Sequence, residues 1–172
     1  MDSIANILLS TGLDRFVNTH DWVWPVCEIL HFFGMAALIG TVGVIDLRIL
    51  GAAKGIRIAT LERFVPLGIA GFILNLLTGI IFVAGNPIGG PLDYLENLAF
   101  QIKMVLILIA GLNLLLYYFL GIARRTDALA PEQAASSGAK VVAAVSVFAW
   151  FSVIVFGRLI MYNDTLLYAL GR

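Results

Sequence analysis

The chain has 172 residues, of which 60% are hydrophobic, and its mean hydropathy is +0.97. That is too apolar for a soluble domain of this length and leaves room for one compact unit, residues 1–172, embedded in a lipid bilayer. Eleven basic residues balance eleven acidic ones, which argues against nucleic acid as a partner, and the single cysteine excludes an internal disulfide and any multi-cysteine metal centre.

The N-terminus starts acidic, with no basic region and no small-residue cleavage site, and so does not read as a signal peptide. Ile4, Ile7, Leu8, Leu13 and Phe16 recur with polar residues between them, the pattern of a short amphipathic helix lying at the membrane interface, with a break near Ser10-Thr-Gly12. A membrane-crossing helix needs about 20 apolar residues. Four segments supply them, at about 24–45, 66–84, 98–120 and 141–162. The expected architecture is therefore all-α: a polytopic four-helix bundle with an interfacial N-terminal helix.

The loop near 46–65 is basic. Gly85-Asn-Pro-Ile-Gly-Gly-Pro91 carries strong turn chemistry ahead of Asp93, a candidate cap for a short helix. The stretch from Ala130 to Gly138 reads as flexible and solvated. Arg48, Lys54, Arg57, Arg63, Arg124, Arg125 and Lys140 all fall in the first and third connections. By the positive-inside rule those loops are cytoplasmic, and both termini lie on the opposite, periplasmic side of a bacterial inner membrane.

Orientation converts position into depth, at about 1.5 Å per helical residue. Glu28 and His31 then lie roughly 6 and 10 Å inside the outer end of span one, Lys103 about 8 Å inside span three and Arg158 about 6 Å inside span four. Ionisable groups at such depths are costly in lipid and are expected to face the bundle interior and to pair there. Glu28 and His31 share a helix face at i and i+3. A structural network, with Glu28 bound to Lys103 or Arg158, is one reading of the layer. A metal or haem ligand at His31 is the other, since neutral imidazole is the commonest protein metal ligand.

Copper is an alternative, because Cys27, His31 and Met35 recur at i, i+4 and i+8 with soft donors. Cys27 and Met35, about 12 Å apart along the axis, cannot share one ion, so a copper site needs help from other spans, where Met104 and Met161 stand. Glu28 with His31 matches the Glu-x-x-His of di-iron bundles, yet the further carboxylates of such sites are missing. Asp46 and Arg48 read as a charge cluster at the inner end of span one, with Gly51 as its stop. Asn75, Thr78 and Asn113 read as interhelical hydrogen-bonding groups.

The run Trp24-Pro25, Glu28, Leu30-His31, Gly34, Gly40 and Asp46-Leu-Arg-Ile-Leu-Gly51, continued by Lys103 and Gly157-Arg158-Leu-Ile-Met-Tyr162, resembles a family of uncharacterised bacterial four-helix inner-membrane proteins. More distantly, the layout is similar to HemJ-type protoporphyrinogen oxidases and the CopD membrane domain. In the HemJ type a first-span histidine and a third-span lysine accompany bound haem b, and His31 and Lys103 occupy those two positions. The resemblance implies a b-type haem protein working in electron transfer or porphyrin- or quinone-type oxidation at the periplasmic side. His31 would be the axial ligand, Arg158 would pair with one propionate, Lys103 would pair with the other or approach the iron, and Glu28 would orient His31 or relay a proton. A redox-partner subunit or a second copy of the chain would complete the assembly. The competing expectation is a non-enzymatic membrane subunit, or a protein handling copper or a small solute, whose polar cluster is structural.

Overall fold

The computed structural model describes residues 1–52 and 54–171. Its elements are all helical: α1 (Asp2–Ser10), α2 (Leu13–Thr19), α3 (Val23–Leu50), α4 (Ile58–Glu62), α5 (Val65–Ala84), α6 (Gly90–Glu96), α7 (Leu98–Phe119), α8 (Ile122–Asp127), α9 (Ser137–Leu159) and α10 (Asn163–Ala169), with a 3₁₀ turn over Ile160–Tyr162. Among the described residues there is no strand. The four long helices α3, α5, α7 and α9 are long and apolar enough to cross a membrane. Their outward faces carry Phe32, Phe33, Leu108, Phe148 and Phe151, all exposed, as a lipid-facing surface requires.

The expected break in the N-terminal helix is real. Gly12, at φ 72°, separates α1 from α2 in a left-handed conformation that an L side chain adopts only under strain. Both short helices lie at one end of the bundle, called the outer end below, where α1 packs on α6 and α2 on the end of α5.

Two of the long helices differ in extent from expectation. The first continues through Asp46 and Arg48 to Leu50, and ends where Ala52 N–H reaches Leu47 O at 2.9 Å and Gly51 N–H reaches Arg48 O at 3.1 Å. Gly51, at φ 104°, supplies the left-handed residue that this helix stop needs. The last long helix starts earlier than the apolar run indicates, because Ser136 Oγ accepts the Ala139 N–H at 3.3 Å and caps it. Asp93 is not a cap. It stands in the first turn of α6, behind Gly89, and its Oδ2 accepts the Asn86 side-chain amide at 2.9 Å.

The stretch from Ala130 to Gly138 is anchored, not free. Arg48, only 1% exposed, sends Nε to Ile56 O at 2.7 Å and Nη2 to the carbonyls of Ala130, Pro131 and Gln133. Ala135 is buried against Ile45, Ile49, Ile58 and Tyr117 in the inner core cluster. One guanidinium thus ties two cytoplasm-assigned loops to the end of the first long helix.

Helix α3 packs on α5 and on α9, and α7 packs on α9, whereas α5 and α7 are not closely packed on each other. The α3–α5 crossing is tight because it is made of glycine. A Cβ on Gly71 would lie 2.6 Å from Gly34 O, and one on Gly34 would lie 2.9 Å from Gly71 O. Small residues let two backbones approach in this way. On the other side of the bundle, the loose α5–α7 seam leaves room for internal space.

Candidate functional site

Two cavities lie along the bundle interior, one above the other. The outer, of about 230 Å³, is lined by His31, Met35, Asn75, Lys103 and Met104 among apolar neighbours. The inner, of about 310 Å³, is lined by Asp46, Glu62, Asn113, Tyr117 and Ser146 among others. Leu38, Phe72, Ile107 and Trp150 belong to both walls and form the waist between them.

His31 is placed by its neighbours on α5. Its Nδ1 lies 2.7 Å from Thr78 Oγ1, and its ring packs on Phe82 with centroids 5.3 Å apart. Thr78 Oγ1 has one proton, and it reaches Leu74 O at 2.8 Å. With that proton committed to the carbonyl, the hydroxyl accepts from His31, so Nδ1 carries the ring proton. The Nε2 lone pair is then left on a ring that lines the outer cavity. The Thr78 contact fixes the ring orientation, as it would for a core histidine or for a ligating imidazole.

Lys103 reaches the same cavity from α7, its Nζ running beside Gly157 of α9. Met35, one turn below His31 on α3, and Met104 on α7 bring two thioethers to that wall. Leu8 of α1 closes part of it from outside. Asn75 uses Nδ2 on Gly71 O at 3.0 Å, while its buried Oδ1 has no hydrogen-bond partner.

The other two expected members of this layer stand apart. Glu28 is exposed and accepts the Trp24 indole N–H at 3.1 Å. It also faces α6, where burial, together with the Asp93 and Glu28 carboxylates, pushes the Tyr94 hydroxyl above its ordinary range. Arg158 is exposed and lies over the Tyr162 ring, 5.6 Å from its centroid. Cys27 is buried with Val17 and Val23, away from the methionines, and is free. Among the described residues no three His, Cys, Asp or Glu side chains are grouped as a metal site.

At the inner end, Tyr117 O–H lies 3.1 Å from Glu62 Oε1 and 2.8 Å from Thr126 Oγ1. Burial, with the nearby Asp127 carboxylate, holds Glu62 above the ordinary glutamate range. Asp46 is 7% exposed, and its Oδ2 has no hydrogen-bond partner. Asn113 bridges α7 to Val142 O on α9 at 3.0 Å, as an interhelical amide should.

Of the residues expected from sequence, His31 and Lys103 line one cavity, and the inner polar group was not anticipated. Glu62 and Asp127 come from short helices 65 positions apart, and no local pattern joins them. No family model, curated protein or solved structure matches the chain.

Proposed function

We propose that this chain is an integral-membrane protein that holds b-type haem in its outer half through His31, serving electron transfer or a porphyrin- or quinone-type oxidation on the periplasmic face of a bacterial inner membrane. The observation that carries the reading is the His31–Thr78 contact, which leaves Nε2 free to ligate and fixes the ring that presents it. The positive loops at the opposite end support the orientation, with both termini outside.

The residues around the cavity suit the group in kind. Apolar walls exclude water, Met35 or Met104 offers a second axial donor, and Lys103 offers a cation to a propionate. The cavity volume of about 230 Å³ is below the roughly 300–1,000 Å³ usual for small-molecule pockets, so binding haem would require the bundle to open further. Haem supplies one-electron chemistry when bound. The chain supplies the ligand nitrogen, its orientation and a dry surround. Arg158, which is exposed, would supply a cation to a propionate at the surface.

Copper(I) is the second reading, favoured by His31, Met35 and Met104 on one cavity wall, a nitrogen and two soft sulfurs. Metal analysis of the natively purified protein, followed by titration with haemin and with copper(I), separates the two. Iron with haemin uptake supports the first; copper bound at one per chain and lost in Met104→Leu supports the second. If neither metal is found or taken up, both fail, and the outer cluster is structural.

A further inference from the structure

We propose that the inner cavity is a second ligand site, for a small apolar amine in its protonated form, entered from the lipid between α5 and α7. It rests on the lower cavity alone and does not depend on what His31 binds.

Asp46 is buried to more than nine-tenths, lines the cavity beside Ser146, its side-chain hydrogen-bonding neighbour, and still presents an Oδ2 with no hydrogen-bond partner. The cation that would be expected to satisfy it is otherwise engaged, since the Arg48 guanidinium is spent on the carbonyls of Ile56, Ala130, Pro131 and Gln133. Among the described residues no lysine or arginine lines this cavity, and its other carboxylate, Glu62, already accepts Tyr117. An unpaired buried carboxylate is costly, and a ligand cation with an N–H to donate removes that cost.

The remaining wall matches the rest of such a molecule. Phe72, Tyr117, Tyr118 and Trp150 supply aromatic faces, which attract an ammonium group, and the other positions are mostly aliphatic. The volume of about 310 Å³ lies within the range for small-molecule pockets. Anions are disfavoured by Asp46, and a neutral alcohol can donate a hydrogen bond to Oδ2 but brings no charge to balance the carboxylate. The outer cavity, with Lys103 and His31 on its wall, does not offer the same attraction to a cation.

The probe is radiolabelled 2-phenylethylammonium, measured by equilibrium binding to the full chain in phosphatidylcholine nanodiscs against empty discs. Saturable binding at one per chain is expected, weakened at least tenfold in Asp46→Asn and not displaced by 2-phenylethanol. Unchanged affinity in Asp46→Asn, equal displacement by the alcohol, or no saturable binding overturns the proposal. If Asp46→Asn does not fold, Ala110→Leu decides. Ala110 lines the cavity and is buried, so leucine there takes up cavity space and leaves Asp46 untouched. Binding is expected to disappear in that variant, and undiminished binding there also overturns the proposal.

Discussion

Asp46 and Arg48 sit two residues apart near the end of one helix, both buried, yet Arg48 does not satisfy Asp46. Residues at i and i+2 point to different sides of a helix. Arg48 turns to the loops and donates to four main-chain carbonyls, while Asp46 turns to the inner cavity with Oδ2 unpartnered. What reads in sequence as one charge cluster is two devices, a loop anchor and an open acceptor.

The anchor predicts a large effect at Arg48. Arg48→Leu leaves several buried carbonyls without their donor, and charge-assisted bonds contribute about 1.5–3 kcal/mol each. A loss of roughly 3 kcal/mol or more is expected, read as a lowered thermal midpoint in detergent with faster proteolysis between Ala130 and Ser136. Arg48→Lys should recover only part of this, because an ammonium lacks the planar fork that serves separate carbonyls. A midpoint unchanged in Arg48→Leu would show that the loops hold without it.

The glycine crossing predicts position-specific intolerance. Gly71→Ala puts a methyl 2.6 Å from a backbone oxygen of α3, so the helices must separate, at about 1–3 kcal/mol. Gly43→Ala, with open space at its Cβ, should be neutral or slightly stabilising. Thermal midpoints of the two variants test this, and equal values would contradict the packing.

Thr78 predicts an effect on the ligand nitrogen rather than on the fold alone. Thr78→Val removes the acceptor of the His31 Nδ1 proton, and metal or haem affinity should fall by about 10–100-fold, as for other outer-shell partners. Thr78→Ser keeps the acceptor and should keep the affinity. A valine variant with undiminished affinity would mean the hydroxyl does not orient the ring.

The inner carboxyl pair predicts a pH dependence of stability. Burial and the Asp127 charge raise the folded-state pKa of Glu62 above its ordinary 4.5. Folding therefore favours the protonated form. Its contribution is fully present below the unfolded value and is lost as pH rises through the raised folded value. The thermal midpoint should fall as pH climbs from about 4.5 upward, and Glu62→Gln should flatten that fall. Identical pH profiles for the two proteins would remove Glu62 as the cause.

The four long helices were legible because a bilayer imposes a length and composition that few other structures share. Depth put His31 and Lys103 at one level, and both line the outer cavity. Rotation about each helix axis was not legible. Glu28 and Arg158 share the expected layer but are exposed, one held by Trp24 and the other over Tyr162, and nothing in a uniformly apolar helix fixes which way such residues face. The Ala130–Gly138 stretch looked free because its restraints come from a guanidinium more than 80 positions away, acting on main-chain oxygens that carry no side-chain signature. Asp46 looked like a helix-end charge because the apolar run fades before the helix stops at Gly51.

The central claim is that His31 presents a ligating nitrogen to a haem in the outer cavity, and an absorption spectrum tests it most directly. The protein, purified from its membrane in mild detergent, is compared before and after added haemin with His31→Ala of matched thermal midpoint. The account predicts a Soret band in the wild-type chain that the alanine variant lacks. A wild-type chain with no Soret band even after haemin addition, or a variant that keeps the band, would contradict it.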